Sequence, residues 1–145
     1  MVKPILTAIQ FLKLSGFDPL ITTSSLHNAD YLKQLGATHV LDRKLSPEEL
    51  HAEIRKITSK PFRTIFDAAA FPDTQNLGYD LLASGGTMPA VRPDAIDPKK
   101  KVEDKKSFFM HANVTLPQNR KLGTSLFSAL PKLLESGDLR VRSLF

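Results

Sequence analysis

The sequence predicts an α/β fold, a parallel sheet flanked by helices, and three observations carry that expectation. Short apolar or β-branched runs alternate with segments whose apolar residues recur at helical spacing. Glycine, proline and capping residues fall where one kind of segment gives way to the other. The helical segments, about 10 to 15 residues each, are long enough to cross back over a sheet between parallel strands.

The elements follow in order. Pro4 suits a first helical position, because its missing N–H is one that a helix start leaves unbonded, and Ile5, Ile9 and Leu12 recur until Gly16 offers a left-handed stop. Pro19 to Thr23 reads as a strand, Asn28 to Leu35 as a helix ended by Gly36, and Thr38 to Asp42 as the next strand. Ser46-Pro47-Glu48-Glu49 predicts a capping box, followed by an apolar stripe of Leu50, Ile54 and Ile57 that Pro61 closes. Thr64 to Asp67 is expected as a strand and Thr74 to Leu82 as a helix, and Gly85-Gly86 leads into a strand from Thr87 to Val91. Ser107 to Leu116 reads extended. Asn119 to Ser136 reads helical through Leu122, Leu126, Leu130 and Leu134, with a kink expected at Pro131.

Composition narrows the class. At 145 residues, 41% hydrophobic and 24% charged, residues 1–145 are one domain by size and can bury a core. No apolar run approaches the roughly 18 residues of a membrane span, and the amino terminus lacks a signal pattern, so a cytoplasmic protein without membrane attachment is expected. Cysteine is absent, which excludes disulfides, a cysteine nucleophile and thiolate zinc sites. The net charge of +5 suits a phosphorylated ligand or a polyanion. The densest basic stretch, Asp97 to Lys106, alternates acids with lysines and has no aromatic residue to stack on bases. It predicts a solvated loop rather than a nucleic-acid site.

Candidate chemistry is sparse. His39, His51 and His111 lack metal-site spacing, and Ser84 and Ser107 lack the context of a hydrolase nucleophile. Tyr31 and Tyr79 fall on helices and read as packing residues. No catalytic acid, base or nucleophile is assigned, and no metal site is expected.

Several segments, in order, resemble the cofactor domain of medium-chain dehydrogenase/reductases. Ala8-Ile9-Gln10-Phe11-Leu12-Lys13-Leu14-Ser15-Gly16 resembles its first helix, and Ile21 to Ala37, ending Leu35-Gly36-Ala37, its second strand and helix. Thr38-His39-Val40-Leu41-Asp42 is similar to its third strand, Phe66-Asp67-Ala68-Ala69 to the end of the fourth, and Leu81-Leu82-Ala83-Ser84-Gly85-Gly86 to the turn before the fifth. Pro117-Gln118-Asn119-Arg120 through Leu133-Leu134-Glu135-Ser136-Gly137 looks most like fungal trans-acting enoyl reductases. The resemblance spans roughly residues 5 to 140. It implies an incomplete Rossmann-like parallel sheet flanked by helices, of family strand order 3-2-1-4-5-6, with the dinucleotide across the carboxyl ends of the strands.

The resemblance also sets expectations about what is missing. The family's first strand and glycine-rich turn should precede the first helix, yet the chain begins Met1-Val2-Lys3-Pro4-Ile5, and Ile5 falls where the turn's last glycine would be. A branched side chain there removes the main pyrophosphate site, so NADP(H) binding is expected to be weak. The catalytic domain lies at neither end, and reductase chemistry would be zinc-independent. The expected identity is therefore a truncated dinucleotide-binding domain of an enoyl or quinone reductase, with little or no activity alone.

Six residues are expected at the cofactor. Ser24, Ser25, His27 and Asn28 follow the second strand, where the family reads the adenosine ribose. Enoyl reductases similar to this chain use a Ser-x-His-Asn turn for NADP, and no carboxylate stands there before Asp30. The same residues also suit a polar loop with Asn28 as helix cap. Arg43, after the third strand, could stack on adenine or pair with its phosphate, or be a solvated charge. Ala69, with Ala68 and Ala70, is small enough for a dinucleotide to lie against or merely permits close packing. The competing function is a non-catalytic interaction protein that reuses the fold for a macromolecular, anionic partner. Without a first strand, Ile21-Thr22 and Ile65-Phe66 each keep an unpaired edge, which predicts self-association through a sheet edge or an exchanged terminus, or direct pairing of the two strands. Leu139 to Phe145 alternates like an edge strand.

Overall fold

The computed structural model describes residues 4–141, in which helices and strands alternate as expected. The order is α1 (Pro4–Leu14), β1 (Ile21–Ser24), α2 (Ala29–Leu35), β2 (His39–Asp42), α3 (Pro47–Ile57), β3 (Phe62–Thr64), α4 (Pro72–Leu81), β4 (Leu82–Ala90), β5 (Lys106–Phe109) and α5 (Arg120–Glu135). The described residues fall into two compact units, one of residues up to Glu53 with those from Ala112 onward, the other Ile54–His111.

In the first unit β1 and β2 run parallel, Ile21 opposite His39 and Ser24 opposite Asp42. The apolar spacing of α1 and α2 places Ile9, Leu32 and Leu35 in one core with Leu20 and Ala37, and Ile5, Leu6, Leu12, Tyr31 and Val40 pack around it. Gly36 ends α2 at φ 125°, and a Cβ there would lie 2.5 Å from Lys13 Cδ, so both conformation and space call for glycine. The buried Gln10 side chain accepts from the Arg140 N–H at 2.6 Å and donates to the Arg140 carbonyl at 3.2 Å, which holds the chain beside the buried Leu139 against α1. Leu139 to Val141 is therefore not a strand, and the rest of that expected segment lies outside the described residues. In α5, Gly123 is buried against Val114, and Pro131 lies inside a helix that continues to Glu135.

The capping box at α3 forms as its sequence requires. The Ser46 N–H donates to Glu49 Oε2 at 2.8 Å and the Glu49 N–H to Ser46 Oγ at 3.2 Å. The Ser46 backbone bond, then its hydroxyl, hold the Glu49 carboxyl below its ordinary value of 4.5. A lowered folded value means that this stabilisation is present above the ordinary value and is lost as pH falls through the folded one. Urea midpoints followed against pH should show wild type ahead of Glu49→Gln at neutral pH, with the gap closing on acidification below about 4.5.

In the second unit β3, β4 and β5 form a parallel sheet with β4 in the middle. Two departures from expectation occur at the β3–β4 pair. Phe62 faces Leu82 and Thr64 faces Thr87, so β4 carries extra residues, and Gly85-Gly86, expected as a turn before the strand, lie inside it with Gly85 at φ 72°. The expected strand Thr64 to Asp67 is displaced toward the amino terminus as β3. Its later residues keep ladder bonds, Ile65 N–H to Thr87 O and Asp67 N–H to Pro89 O, with a bridge between Asp67 and Ala90. Extension after Ser107 stops at Phe109 instead of Leu116, because β4 offers no partner beyond Ala90. Tyr79, Leu82, Met88 and Ile96 form the core, with Ile65 against it.

The lysine-rich loop is largely spent within this unit. Lys100 pairs with Asp80, Lys101 pairs with Asp94, and Lys105 donates to the Tyr79 carbonyl while lying 5.3 Å from its ring centre. Burial alone would raise the Asp94 carboxyl, but Lys101 and the Ile96 N–H hold it below its ordinary value.

The pairings β2–β1 and β3–β4–β5 are the neighbour relations that the order 3-2-1-4-5-6 gives to strands 3-2 and 4-5-6. Ile21 and Thr22 lie in β1, in the sheet of the first unit, and Ile65 and Phe66 follow β3, in the second.

Candidate functional site

Five of the six expected residues meet at the carboxyl end of the β1–β2 pair. Ser24 ends β1, Ser25 leaves it in extended conformation, and Leu26–Asn28 form one 3-10 turn before α2. The Arg43 N–H donates to the Ser24 carbonyl at 3.0 Å, which fixes the start of the Arg43 side chain beside that turn. Parallel pairing brings this about, since residues following neighbouring parallel strands emerge on the same edge.

Of the two roles open to Asn28, the helix cap does not form. Its side chain makes no cap bond to α2 and instead donates to Ser24 Oγ at 3.3 Å, tying the two ends of the turn together. The 3-10 turn runs into α2, so Asn28 has a helical backbone, φ −93° and ψ −1°, in place of the extended one a capping residue uses. Among the described residues, the side chains of Ser25, His27 and Arg43 spend no hydrogen bond or ion pair elsewhere. His27 and Arg43 are exposed. A hydroxyl, an imidazole and a guanidinium on one strand end can all donate to a phosphate, and the guanidinium can also stack on a base.

Sequence reasoning missed Asp42, a carboxylate brought beside Ser24 only by the pairing register. Its Oδ1 accepts from the Lys44 N–H at 3.0 Å, so it closes the turn after β2.

Ala69 lies in the other unit, in the turn after β3, and it is exposed. Asp67 builds that turn. Its Oδ1 accepts from the Ala69 N–H at 3.0 Å and the Ala70 N–H at 2.8 Å, and its Oδ2 accepts from Thr74 Oγ1 at 2.8 Å. The bonds hold Ala70 at φ 51°, a left-handed conformation for a residue with a Cβ. Gln75, in α4, braces the same turn by donating to the Ala70 and Pro93 carbonyls and accepting from the Ala95 N–H. The sequence pointed to the alanines with Asp67 before them, but not to the bonds by which Asp67 and Gln75 shape the turn.

Tyr79 is a packing residue as expected, and its hydroxyl accepts from the Val102 N–H at 3.1 Å. Among the described residues no group of three or more histidine or acidic side chains could hold a metal ion, and no helix is long and apolar enough to cross a membrane. A groove of about 460 Å³ along α5 is lined by Val114, Arg120, Gly123, Thr124, Phe127 and Ser128 and shares no residue with the site at β1 and β2.

Residues 6–130 match the family model described as zinc-binding dehydrogenase. A trans-enoyl reductase of Gibberella zeae is 40% identical over 87 residues, covering 59% of this chain and 23% of that protein. Another, from Gibberella fujikuroi, is 28% identical over 149 residues, covering 92% of this chain and 42% of that protein. Among solved structures, the CurK enoyl reductase superposes with a TM-score of 0.72 at 16% identity, over 94% of this chain and 41% of that one. The quinone oxidoreductase of Pseudomonas syringae gives 0.70 at 21% identity, over 95% and 44%. The chain thus spans less than half the length of these relatives. It belongs to the zinc-binding dehydrogenase family of medium-chain, NAD(P)-dependent dehydrogenase/reductases, as a cofactor-domain segment related to trans-enoyl reductases.

Proposed function

We propose that the chain binds NADP(H) weakly, as the cofactor domain of a zinc-independent enoyl or quinone reductase. The carrying observation is the cluster of Ser24, Ser25, His27, Asn28 and Arg43 at the carboxyl end of β1 and β2, with three donor side chains left uncommitted. That donor set fits a phosphate on the adenosine ribose. Serine and imidazole supply hydrogen bonds and the guanidinium supplies charge. Asp42 is the one carboxylate in register with Ser24, and it is turned to the Lys44 amide. The nicotinamide, when bound, would supply the hydride. This chain's part is to bind and orient it.

The trans-enoyl reductases it is similar to support the reductase class, and the chain spans less than half of their length. With NADPH and either an enoyl thioester or a quinone, the 145-residue chain is expected to give no turnover above background. Reading the chain instead as a docking module for an anionic macromolecule gains no support from the lysine loop, whose Lys100 and Lys101 are ion-paired.

Calorimetric titration with NADPH and NADH tests the cofactor preference. NADPH should bind at least about tenfold more tightly, as one charge-assisted hydrogen bond of about 1.5 kcal/mol implies, and Ser25→Asp should abolish that difference by repelling the phosphate. Equal affinities in wild type would reject the assignment.

A further inference from the structure

We propose that Asp42 sets the cofactor preference of the β1–β2 strand end, through a carboxylate that the turn after β2 holds away from the ribose phosphate. This rests on the NADP(H) assignment of the same cluster and adds the residue that decides between the phosphorylated and the unphosphorylated cofactor. Asp42 is the parallel partner of Ser24. Partners across a parallel pair lie about 4.8 Å apart and send their side chains to the same face of the sheet, so the Asp42 carboxylate starts beside the Ser24 hydroxyl. Asn28 donates to that hydroxyl at 3.3 Å, which places one end of the phosphate-reading turn there as well.

A carboxylate free in this place would act as acidic residues do at an adenosine ribose, accepting from the hydroxyls of an unphosphorylated ring and repelling a phosphate. Among the described residues no lysine or arginine pairs with Asp42, so its charge is not neutralised. Its direction protects the site instead. Oδ1 accepts from the Lys44 N–H at 3.0 Å and the Asp42 carbonyl accepts from the Leu45 N–H at 3.2 Å, so side chain and backbone of one residue close one turn. Arg43 sits inside that turn, its N–H bonded to the Ser24 carbonyl at 3.0 Å. The same few bonds therefore aim the negative charge at backbone and leave the positive one at the strand end.

The device depends on the length of the side chain. Asparagine keeps an acceptor at the same reach and removes the charge, whereas glutamate keeps the charge but its extra methylene carries the carboxylate past the Lys44 amide and frees it toward the phosphate.

Calorimetric titration of the chain and of its Asp42→Asn and Asp42→Glu variants with NADPH and NADH tests this, while amide hydrogen exchange at Lys44 reports whether the turn is closed. Asp42→Asn should keep the Lys44 amide protected and the NADPH:NADH affinity ratio within about twofold of wild type. Asp42→Glu should expose that amide and lower the ratio about tenfold through NADPH alone, NADH binding by the same variant showing that the site is folded. A ratio raised about fivefold or more in Asp42→Asn would mean that the wild-type carboxylate already faces the phosphate, and overturns the proposal. So does a ratio that Asp42→Glu leaves unchanged, including a loss shared equally by both cofactors, which is what a residue that only closes a turn gives. Equal affinities of the wild type for NADPH and NADH overturn the cofactor assignment itself, and the role of Asp42 with it.

Discussion

Asp67→Ala should cost about 3 kcal/mol of stability, a large share of the roughly 5 to 15 kcal/mol of a typical domain. The carboxylate accepts three hydrogen bonds from within eight residues, two from the backbone of the turn after β3 and one from Thr74 at the start of α4. Ala69 is exposed and its freed N–H can find water, but Ala70 is buried, and its N–H would be left without a partner. The same bonds hold Ala70 in the left-handed region, which a residue with a Cβ enters at a cost of about 1 to 2 kcal/mol. With the anchor gone the turn relaxes and carries Ala69 with it. Asp67→Asn keeps one carbonyl acceptor and should lose less than Asp67→Ala. Urea denaturation of both variants gives the comparison. A loss under about 1 kcal/mol for Asp67→Ala would mean that the turn is held by something other than this carboxylate.

Gln75→Leu is expected to cost about 2 to 4 kcal/mol, because a side chain only 1% exposed would stop bonding an N–H and two carbonyls. Leucine is close in volume, so the effect reports the lost hydrogen bonds rather than a cavity. A pH signature separates the two causes further. In Gln75→Glu the introduced carboxyl still accepts from Ala95, but when ionised it faces the Ala70 and Pro93 carbonyls with no proton to give. Its folded pKa is therefore raised, and the stability it contributes is present at low pH and lost as pH rises through the folded value. Thermal unfolding should place Gln75→Glu well below wild type at neutral pH and nearer to it in acid. A pH-independent deficit would contradict the hydrogen-bond role.

These two residues mark the limit of what was legible in the sequence. The capping box of α3, the helix stops at Gly16 and Gly36 and the alternation of strands with helices are set by neighbours within a turn or two, and local reading found them. Strand ends were displaced where a partner strand decides them, as at β3, where the extra residues of β4 fix which residues pair. The residue type of Asn28 suits either a cap or a phosphate-reading turn, and its helical backbone, fixed by the 3-10 turn before it, leaves the cap bond unmade. Gln10 and Gln75 gave no signal at all. Their partners lie 130 and about 20 residues away, and a glutamine on a helix looks like surface until the fold brings a stretch of backbone against it. The cofactor cluster was legible as residue types after a strand. That Arg43 joins Ser24 in it follows from parallel pairing, which the fold class implied, whereas Asp42 beside Ser24 required the register itself.

The most direct test of the cofactor assignment uses the adenosine end alone, which separates phosphate reading from everything a catalytic domain would add. Backbone amide NMR spectra of the chain should be recorded while it is titrated with adenosine 2′,5′-bisphosphate and, separately, with adenosine 5′-monophosphate. The expected result is that the bisphosphate shifts the amides of Ser24, Ser25, His27, Asn28 and Arg43 and the monophosphate leaves them nearly still. Shifts of equal size with both ligands, or shifts confined to residues outside that strand end, would contradict it.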